Sequence, residues 1–324
     1  MKLTKAVFVL CCLFCFEISP AHAATLHAVK GVVITPEGTV VPEFTLVVKQ
    51  VTDKPELVQR KHFKHGEFGL DGLNPTKYQI QVSSPQFITT KILFDFKAKS
   101  RDTDYCIVIL HPYRNEARLA PGAAYTVSAK AYQEKIPDAA REAYLRGVEF
   151  HRQGELDQAL VEYGKALRSY PTFVSALTDI GSILLLYNRP EGALTFLRRA
   201  QEADKDNMIV RMNIAVALSE QGDYAEATKM LKSLLHDEPR MAPAQYFLAK
   251  IEYFEKKYDR AEQDVQQALE NDPRLLDGWV LFINISLEQN KQDQVRDALK
   301  RIRETMDNQL VTKFIDEQLS SLGS

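Results

Sequence analysis

The chain has 324 residues, and its 41 Lys and Arg against 43 Asp and Glu give a net charge of −2 at pH 7. This near balance argues against binding to nucleic acid or to acidic membranes, because both need a basic surface. The length is sufficient for two ordinary domains.

The first 23 residues have the features of a secretory signal peptide. Lys2 and Lys5 precede the uncharged apolar run 6–16, and Ala21-His22-Ala23 matches the small-x-small pattern of a cleavage site. The run is too short for a permanent membrane anchor. The sequence therefore predicts export, with cleavage near Ala23 and no transmembrane segment in the mature chain. It leaves open whether the protein is periplasmic, secreted or associated with the cell envelope.

Removal of this segment also changes the cysteine count. Cys11, Cys12 and Cys15 would leave with it, so the mature chain keeps only Cys106. A lone cysteine cannot form an internal disulfide. Because it lies in the apolar run 105–110, we expect a buried, inert thiol.

Residues 24–113 alternate in hydrophobicity as β-strands do. Tyr78, Ile80 and Val82 alternate with polar residues, and turn sequences such as Pro36-Glu37-Gly38 and Asp71-Gly72 separate the apolar runs. Six or seven short strands with no helical stretch between them predict a β-sandwich.

The order of several short motifs in this module resembles the carboxypeptidase regulatory-like, or transthyretin-like, family. They include Gly31-Val32-Val33, Gly66-Glu67-Phe68 and Leu73-Asn74-Pro75, followed by Tyr78-Gln79-Ile80-Gln81-Val82 and Phe87. The resemblance implies a non-catalytic sandwich that accompanies other domains. Residues 114–137 have weak periodicity and are interpreted as a connector.

Residues 138–307 repeat with a period of 34. Steps of 34 from Ala159 reach Ala193, Ala227, Ala261 and Val295, and steps from Gly147 reach Gly181, Ala215, Ala249 and Ile283. The small residues predict places where two antiparallel helices approach closely, and Pro171, Pro239 and Pro273 predict the ends of units.

This period and pattern resemble the tetratricopeptide repeat family. The resemblance implies five helical hairpins stacked into a right-handed superhelix, with residues 308–324 as a capping helix. The predicted fold class is multidomain, an all-β sandwich followed by an all-α repeat solenoid.

We find no motif that supports catalysis. The nearest histidine pair, His62 and His65, lies beside Lys61 and Lys64, which disfavour a metal ion. Signatures of a phosphate loop, a zinc protease or a nucleophile elbow are absent from the sequence. The sequence therefore predicts no enzyme, no catalytic residue, no cofactor and no metal site.

In the resembled fold, the first helices of successive units line a concave groove, and residues at helical spacing on them are candidates for partner contact. The candidates are Tyr144, Val148, His151, Leu185, Met212, Val216, Tyr246, Lys250, Tyr253 and Phe254. The Lys/Asn/Arg set by which some family members clamp a peptide carboxylate is not reproduced. The groove is instead apolar and aromatic, although a stripe at this spacing also suits a helix core.

We therefore expect an exported, non-catalytic scaffold that binds a protein or peptide partner, and no nucleic acid, in this groove. The alternative is a protein that binds glycan or cell wall through the sandwich, with Phe87 and Tyr113 as its aromatic contacts. Against the alternative, the module contains no tryptophan.

Overall fold

The computed structural model describes residues 11–12, 27–52, 56–74, 76–85, 87, 89–96, 103–111, 136–305 and 308–321. Most of the expected signal segment, nearly all of the expected connector and Tyr113 lie outside these residues. The chain forms two compact units, Met1–Pro112 with Pro273–Ser324, and Tyr113–Asp272. No helix in the described ranges combines the length and the apolar character that a membrane crossing needs.

In the described residues of the N-terminal region, eight strands form two four-stranded sheets. The strands are β1 Cys11–Cys12, β2 His27–Ile34, β3 Glu43–Gln50, β4 Glu56–Lys64, β5 Glu67–Leu73, β6 Lys77–Ser83, β7 Thr90–Asp95 and β8 Thr103–Ile109. One sheet has the order β1-β8-β2-β5 and the other β4-β3-β6-β7. The predicted all-β sandwich is confirmed.

The inner faces of the two sheets share one core. Tyr78, Ile80 and Val82 of β6 are buried, as their alternation predicts, and Cys106 is buried with them. Gly31 lies where β2 runs parallel to β8, and a Cβ there would come 2.3 Å from the carbonyl oxygen of Cys106. Only glycine therefore allows this strand pair to approach so closely.

Eleven helices follow in the residues that the structure describes. They are α1 Asp138–Gln153, α2 Leu156–Ser169, α3 Val174–Leu186, α4 Pro190–Ala203, α5 Met208–Gln221, α6 Tyr224–Asp237, α7 Ala242–Phe254, α8 Tyr258–Asn271, α9 Leu276–Glu288, α10 Gln292–Thr305 and α11 Gln309–Ser321. Helices α1 to α10 pair as five hairpins, the predicted helical-hairpin architecture.

All five hairpins turn at the same position of the repeat. One or two residues after the first helix, the backbone adopts a positive φ at Gly154, Asn188, Gly222, Lys256 and Asn290, each 34 residues from the next. Glycine and asparagine tolerate this left-handed conformation, whereas lysine adopts it only when its surroundings impose it. Lys256 is therefore the one turn residue of the five whose type does not favour the conformation.

Candidate functional site

Helices α1, α3, α5 and α7 are the first helices of the four hairpins in the unit Tyr113–Asp272. Helix α3 contacts α5, and α5 contacts α7, in addition to the contacts that each makes with its own hairpin partner. We call the side of these four helices to which helical spacing assigns the ten predicted contact residues the first-helix face.

Side-chain hydrogen bonds join the first helices in succession. Tyr144 Oη of α1 donates to Asp179 Oδ2 of α3 at 3.0 Å. Asn213 Nδ2 of α5 donates to Ser182 Oγ of α3 at 3.1 Å. Between α7 and α5, a lysine–glutamate pair (Lys250 Nζ to Glu220 Oε1) spans 3.3 Å. Side chains about 30 residues apart in sequence therefore meet at each step of the stack.

Eight of the ten predicted residues keep accessible surface on these helices, and two do not. Val148 is 38% exposed. The half-buried members of the set are Tyr144, Leu185, Val216, Tyr246, Lys250, Tyr253 and Phe254. His151 and Met212 lie in the interior, with 9% and 5% of their surface exposed, so they offer little to a partner.

His151 belongs to a buried polar network that ties the first hairpin to the second. Its Nδ1 lies 3.3 Å from Tyr163 Oη, and the carboxyl of Asp179 accepts hydrogen bonds from both Tyr163 and Tyr144. Burial lowers the pKa of His151 and raises that of Tyr163. Burial also raises the pKa of Asp179 to about 6, against the effect of its two tyrosine donors. The network therefore links the first hairpin to the second, while Nε2 of His151 is buried without a hydrogen-bond partner among the described residues.

Rings gather at the α7 end of the first-helix face. The centroids of Tyr253 and Phe254 lie 6.0 Å apart, Tyr253 lies 5.8 Å from Tyr258, and Phe254 stacks on Tyr224 at 6.2 Å. Tyr246 makes an edge contact with Phe247 at 5.1 Å. Such pairs stabilise one another beyond the area that they bury. The α7 end is therefore the part of the face with the most aromatic surface.

Tyr224 and Tyr258 were missed by reasoning from the sequence, although a signal was present. They begin α6 and α8 and are 34 residues apart, so they occupy the same repeat position. The predicted residues all belong to first helices, whereas these two rings reach the hairpin turns from the second helices.

Lys250 is the only lysine or arginine among the ten predicted residues. Besides its contact with Glu220, its Nζ lies 5.4 Å from the ring centroid of Phe247. A carboxylate and a ring face both stabilise the ammonium group. The charge therefore already has partners within the protein.

A pair of carboxyl groups lies behind this face, between α7 and α8. Glu252 is buried, and burial followed by the neighbouring carboxylate of Asp264 raises its pKa to about 7. Burial also raises the pKa of Asp264. Two carboxyl groups in contact cannot both ionise without repulsion, so they share a proton near neutral pH.

The fifth hairpin, in the unit Met1–Pro112 with Pro273–Ser324, has a different environment. His111, which follows β8, lies with its Nε2 3.3 Å from Asp277 Oδ1 of α9, and α11 contacts α10 and β2. The first helix of this hairpin therefore meets the sandwich, and the candidate site is confined to α1, α3, α5 and α7.

The aromatic residues proposed for glycan binding do not form a platform in the described part of the sandwich. Phe87 is half-buried and packs against the sandwich core, and Tyr113 lies outside the described residues. Among the residues that the structure describes, no cluster of three or more His, Cys, Asp or Glu could hold a metal ion.

Comparisons with known proteins agree with the repeat architecture. Family models described as tetratricopeptide repeat match residues 144–207 and 218–273. The predicted tetratricopeptide repeats are thereby confirmed.

A relative from Komagataeibacter xylinus, cellulose synthase 2 operon protein C, is 41% identical over 71 residues. This match covers 22% of the chain and only 5% of the relative. Among solved structures, Pseudomonas aeruginosa PilF is 19% identical, with a TM-score of 0.48, over 57% of this chain and 89% of that one. A tetratricopeptide repeat protein of Thermus thermophilus, TTC0263, is also 19% identical, with a TM-score of 0.46. That match covers 57% of this chain and 98% of the Thermus protein.

Proposed function

We propose that this protein is an exported, non-catalytic scaffold that binds a segment of a partner protein on the first-helix face. The observation that carries the proposal is the chain of hydrogen bonds between successive first helices. These bonds join neighbouring hairpins side by side, and repeats stacked in this way form extended binding surfaces.

The residues of the face indicate the chemistry of the partner. Tyr246, Tyr253 and Phe254 provide large apolar surfaces with few rotatable bonds, and Lys250 is already paired. Contacts of this kind suit an amphipathic helix or an extended apolar peptide more than a highly charged one. A few such aromatic side chains carry most of the free energy in a typical interface.

Site-specific photocrosslinking tests the proposal. A photoreactive phenylalanine analogue replaces Tyr246 or Val216 on the first-helix face, in cells that express the chain. The matched control places it at Gln266, an exposed position on α8. We expect one crosslinked partner shared by the two face positions and absent from the control.

The affinity for the partner identified in this way is then measured for variants of the face. Tyr246→Ala and Tyr253→Ala should each weaken binding about tenfold, which corresponds to about 1.4 kcal/mol. Gln266→Ala should have no effect. The proposal is wrong if the face positions crosslink only to residues of the same chain, because the face would then be filled from within.

Three further properties belong to this proposal. Export rests on the signal-like segment 1–23, and proteolytic maturation near Ala23 in the native host, read by mass spectrometry, tests it. Membership of the sandwich in the carboxypeptidase regulatory-like family rests on the motifs quoted above. The proposal of a non-catalytic role rests on the sequence, in which we find no catalytic motif.

A further inference from the structure

The edge strand β4 is the longest of the described strands, with nine residues, and is exposed along its whole length. Seven of these residues are exposed, and only Gln59 and Phe63 are half-buried. Among the described strands only β3 pairs with β4. Toward β5 the contact is through a side chain, because Gln59 Nε2 donates to the carbonyl oxygen of Asp71 at 3.0 Å. One backbone edge of β4 therefore presents N–H and C=O groups that a further strand could pair with.

The second half of β4 is basic. Arg60, Lys61 and Lys64 are all exposed, and Glu56 is the only acidic residue of the strand. His62 has one acidic neighbour on β3, Glu43, at 3.9 Å. In an antiparallel pair of two β4 strands centred on His62, Arg60 of each copy would lie opposite Lys64 of the other, which is unfavourable. Three cations against one carboxylate therefore favour an acidic strand as the partner.

The first half of β4 is apolar. Leu57 is 57% exposed and Val58 is 40% exposed, and Val51, just beyond the end of β3, is 43% exposed. Val58 has no partner in the β3 register, because Leu57 pairs with Lys49 and Gln59 with Val48. It is thus the extra residue of a β-bulge. Bulges and lysines commonly protect an edge, but three neighbouring exposed apolar side chains also add a surface that a partner could bury.

We propose that β4 binds an extended acidic segment of a partner protein, which adds to the sheet as a fifth strand. Main-chain hydrogen bonds provide the binding energy in this mode, and alternate side chains determine which segment is accepted. In this arrangement, carboxylates at alternate positions of the partner segment pair with Arg60 and Lys64. An apolar residue at one end of that segment covers Leu57 and Val58. This interaction is separate from the one proposed for the first-helix face and does not depend on it.

A labelled nonapeptide that alternates glutamate with valine is the probe, with the full chain and fluorescence anisotropy as the readout. A peptide with lysine in place of glutamate should not bind. Two further versions carry N-methyl groups on one or the other alternating set of amides. Only one of the two should lose binding, because an added strand pairs through the N–H groups of a single edge.

Charge reversal locates the interaction on β4. Arg60→Glu and Lys64→Glu should each lower the affinity for the acidic peptide about fivefold at low salt. This change is equivalent to about 1 kcal/mol, the value for an exposed ion pair. Lys91→Glu is the matched control, because Lys91 is exposed on β7 at the opposite edge of the same sheet. It should change the affinity by less than about twofold. Amide hydrogen exchange of residues 57–63 should slow when the peptide is bound.

Three results would overturn the proposal. The first is no saturable binding of the acidic peptide. The second is equal binding of both N-methylated versions, since the attraction would then be electrostatic without strand pairing. The third is an equal loss of affinity with Lys91→Glu, or binding of poly-L-glutamate without slower exchange in β4. Either finding would make the sheet a general polyanion surface.

Discussion

Two glycines of the first hairpin should respond in opposite ways to the same substitution. Gly147 of α1 and Gly164 of α2 are both replaced by alanine. A Cβ at Gly147 would lie 2.5 Å from Cδ1 and from Cε1 of Tyr163, whereas the nearest atom to a Cβ at Gly164 is a terminal guanidinium nitrogen of Arg168 at 4.0 Å. The first site is closed by a ring and the second is open.

The expected magnitudes follow from this geometry. Alanine favours a helix interior over glycine by about 1 kcal/mol, so Gly164→Ala should stabilise the hairpin by about 0.5–1 kcal/mol. At Gly147 the same gain is opposed by an overlap of about 1 Å relative to normal carbon contacts. The ring of Tyr163 is fully buried and held near His151, so it cannot move away without losing packing. Overpacking of this kind costs about 1–3 kcal/mol, and we expect a net loss of up to about 2 kcal/mol.

Stacked repeats open locally, so a single melting temperature is a poor measure of one hairpin. Native-state amide exchange of α1 and α2 in low urea reports the free energy of local opening. Protection should fall for Gly147→Ala and rise slightly for Gly164→Ala, relative to the natural chain. If Gly147→Ala protects the hairpin as well as Gly164→Ala does, the close approach of α1 and α2 is not a constraint and the reasoning fails.

Three other changes have expected outcomes. Because the pKa of Glu252 is raised in the folded protein, its stabilising contribution is complete below pH 4.5 and is lost as the pH rises toward about 7. Glu252→Gln should therefore raise the free energy of unfolding at about pH 8 by about 1–3 kcal/mol and leave it unchanged at about pH 4, in urea titrations at both pH values. Tyr144→Phe removes a donor to Asp179 and should raise the pKa of that carboxyl above about 6, as followed by carboxyl carbon NMR shifts. The thiol of Cys106, which is 1% exposed, should react with a disulfide reagent in urea but not in the native state, and rapid native labelling would contradict its burial.

The regular parts of the fold were accessible from the sequence because they depend on local or periodic signals. Alternation located β6, and the 34-residue period located the hairpins, with Gly147 at a close approach of helices. Glycine or asparagine stands at four of the five hairpin turns, which is a local signal for a positive φ. The remaining turn, at Lys256 between α7 and α8, has no such signal, because lysine does not favour a positive φ. There the packing of α7 on α8 imposes the conformation.

The candidate site was accessible only in part, since helical spacing gives the direction of a side chain but not what surrounds it. His151 has the spacing of a surface residue, yet its ring turns inward to Tyr163 of the next helix. Met212 likewise joins the core between hairpins. The contact between His111 and Asp277 could not be predicted either, because no periodicity relates residues 166 positions apart.

Each hairpin contributes only a few side chains to the first-helix face, so no local motif can identify the site and its geometry depends on the stacking of hairpins. Loss of partner binding therefore has two physical causes that a binding assay alone does not separate. Gly147→Ala changes the separation of α1 and α2 and moves Tyr144 without removing any contact group. Tyr246→Ala removes a contact group, and because Tyr246 is only half-buried, its loss should cost little stability. A variant whose loss of binding accompanies unchanged amide exchange therefore identifies a residue that contacts the partner. One that loses binding and protection together identifies a residue that positions the face.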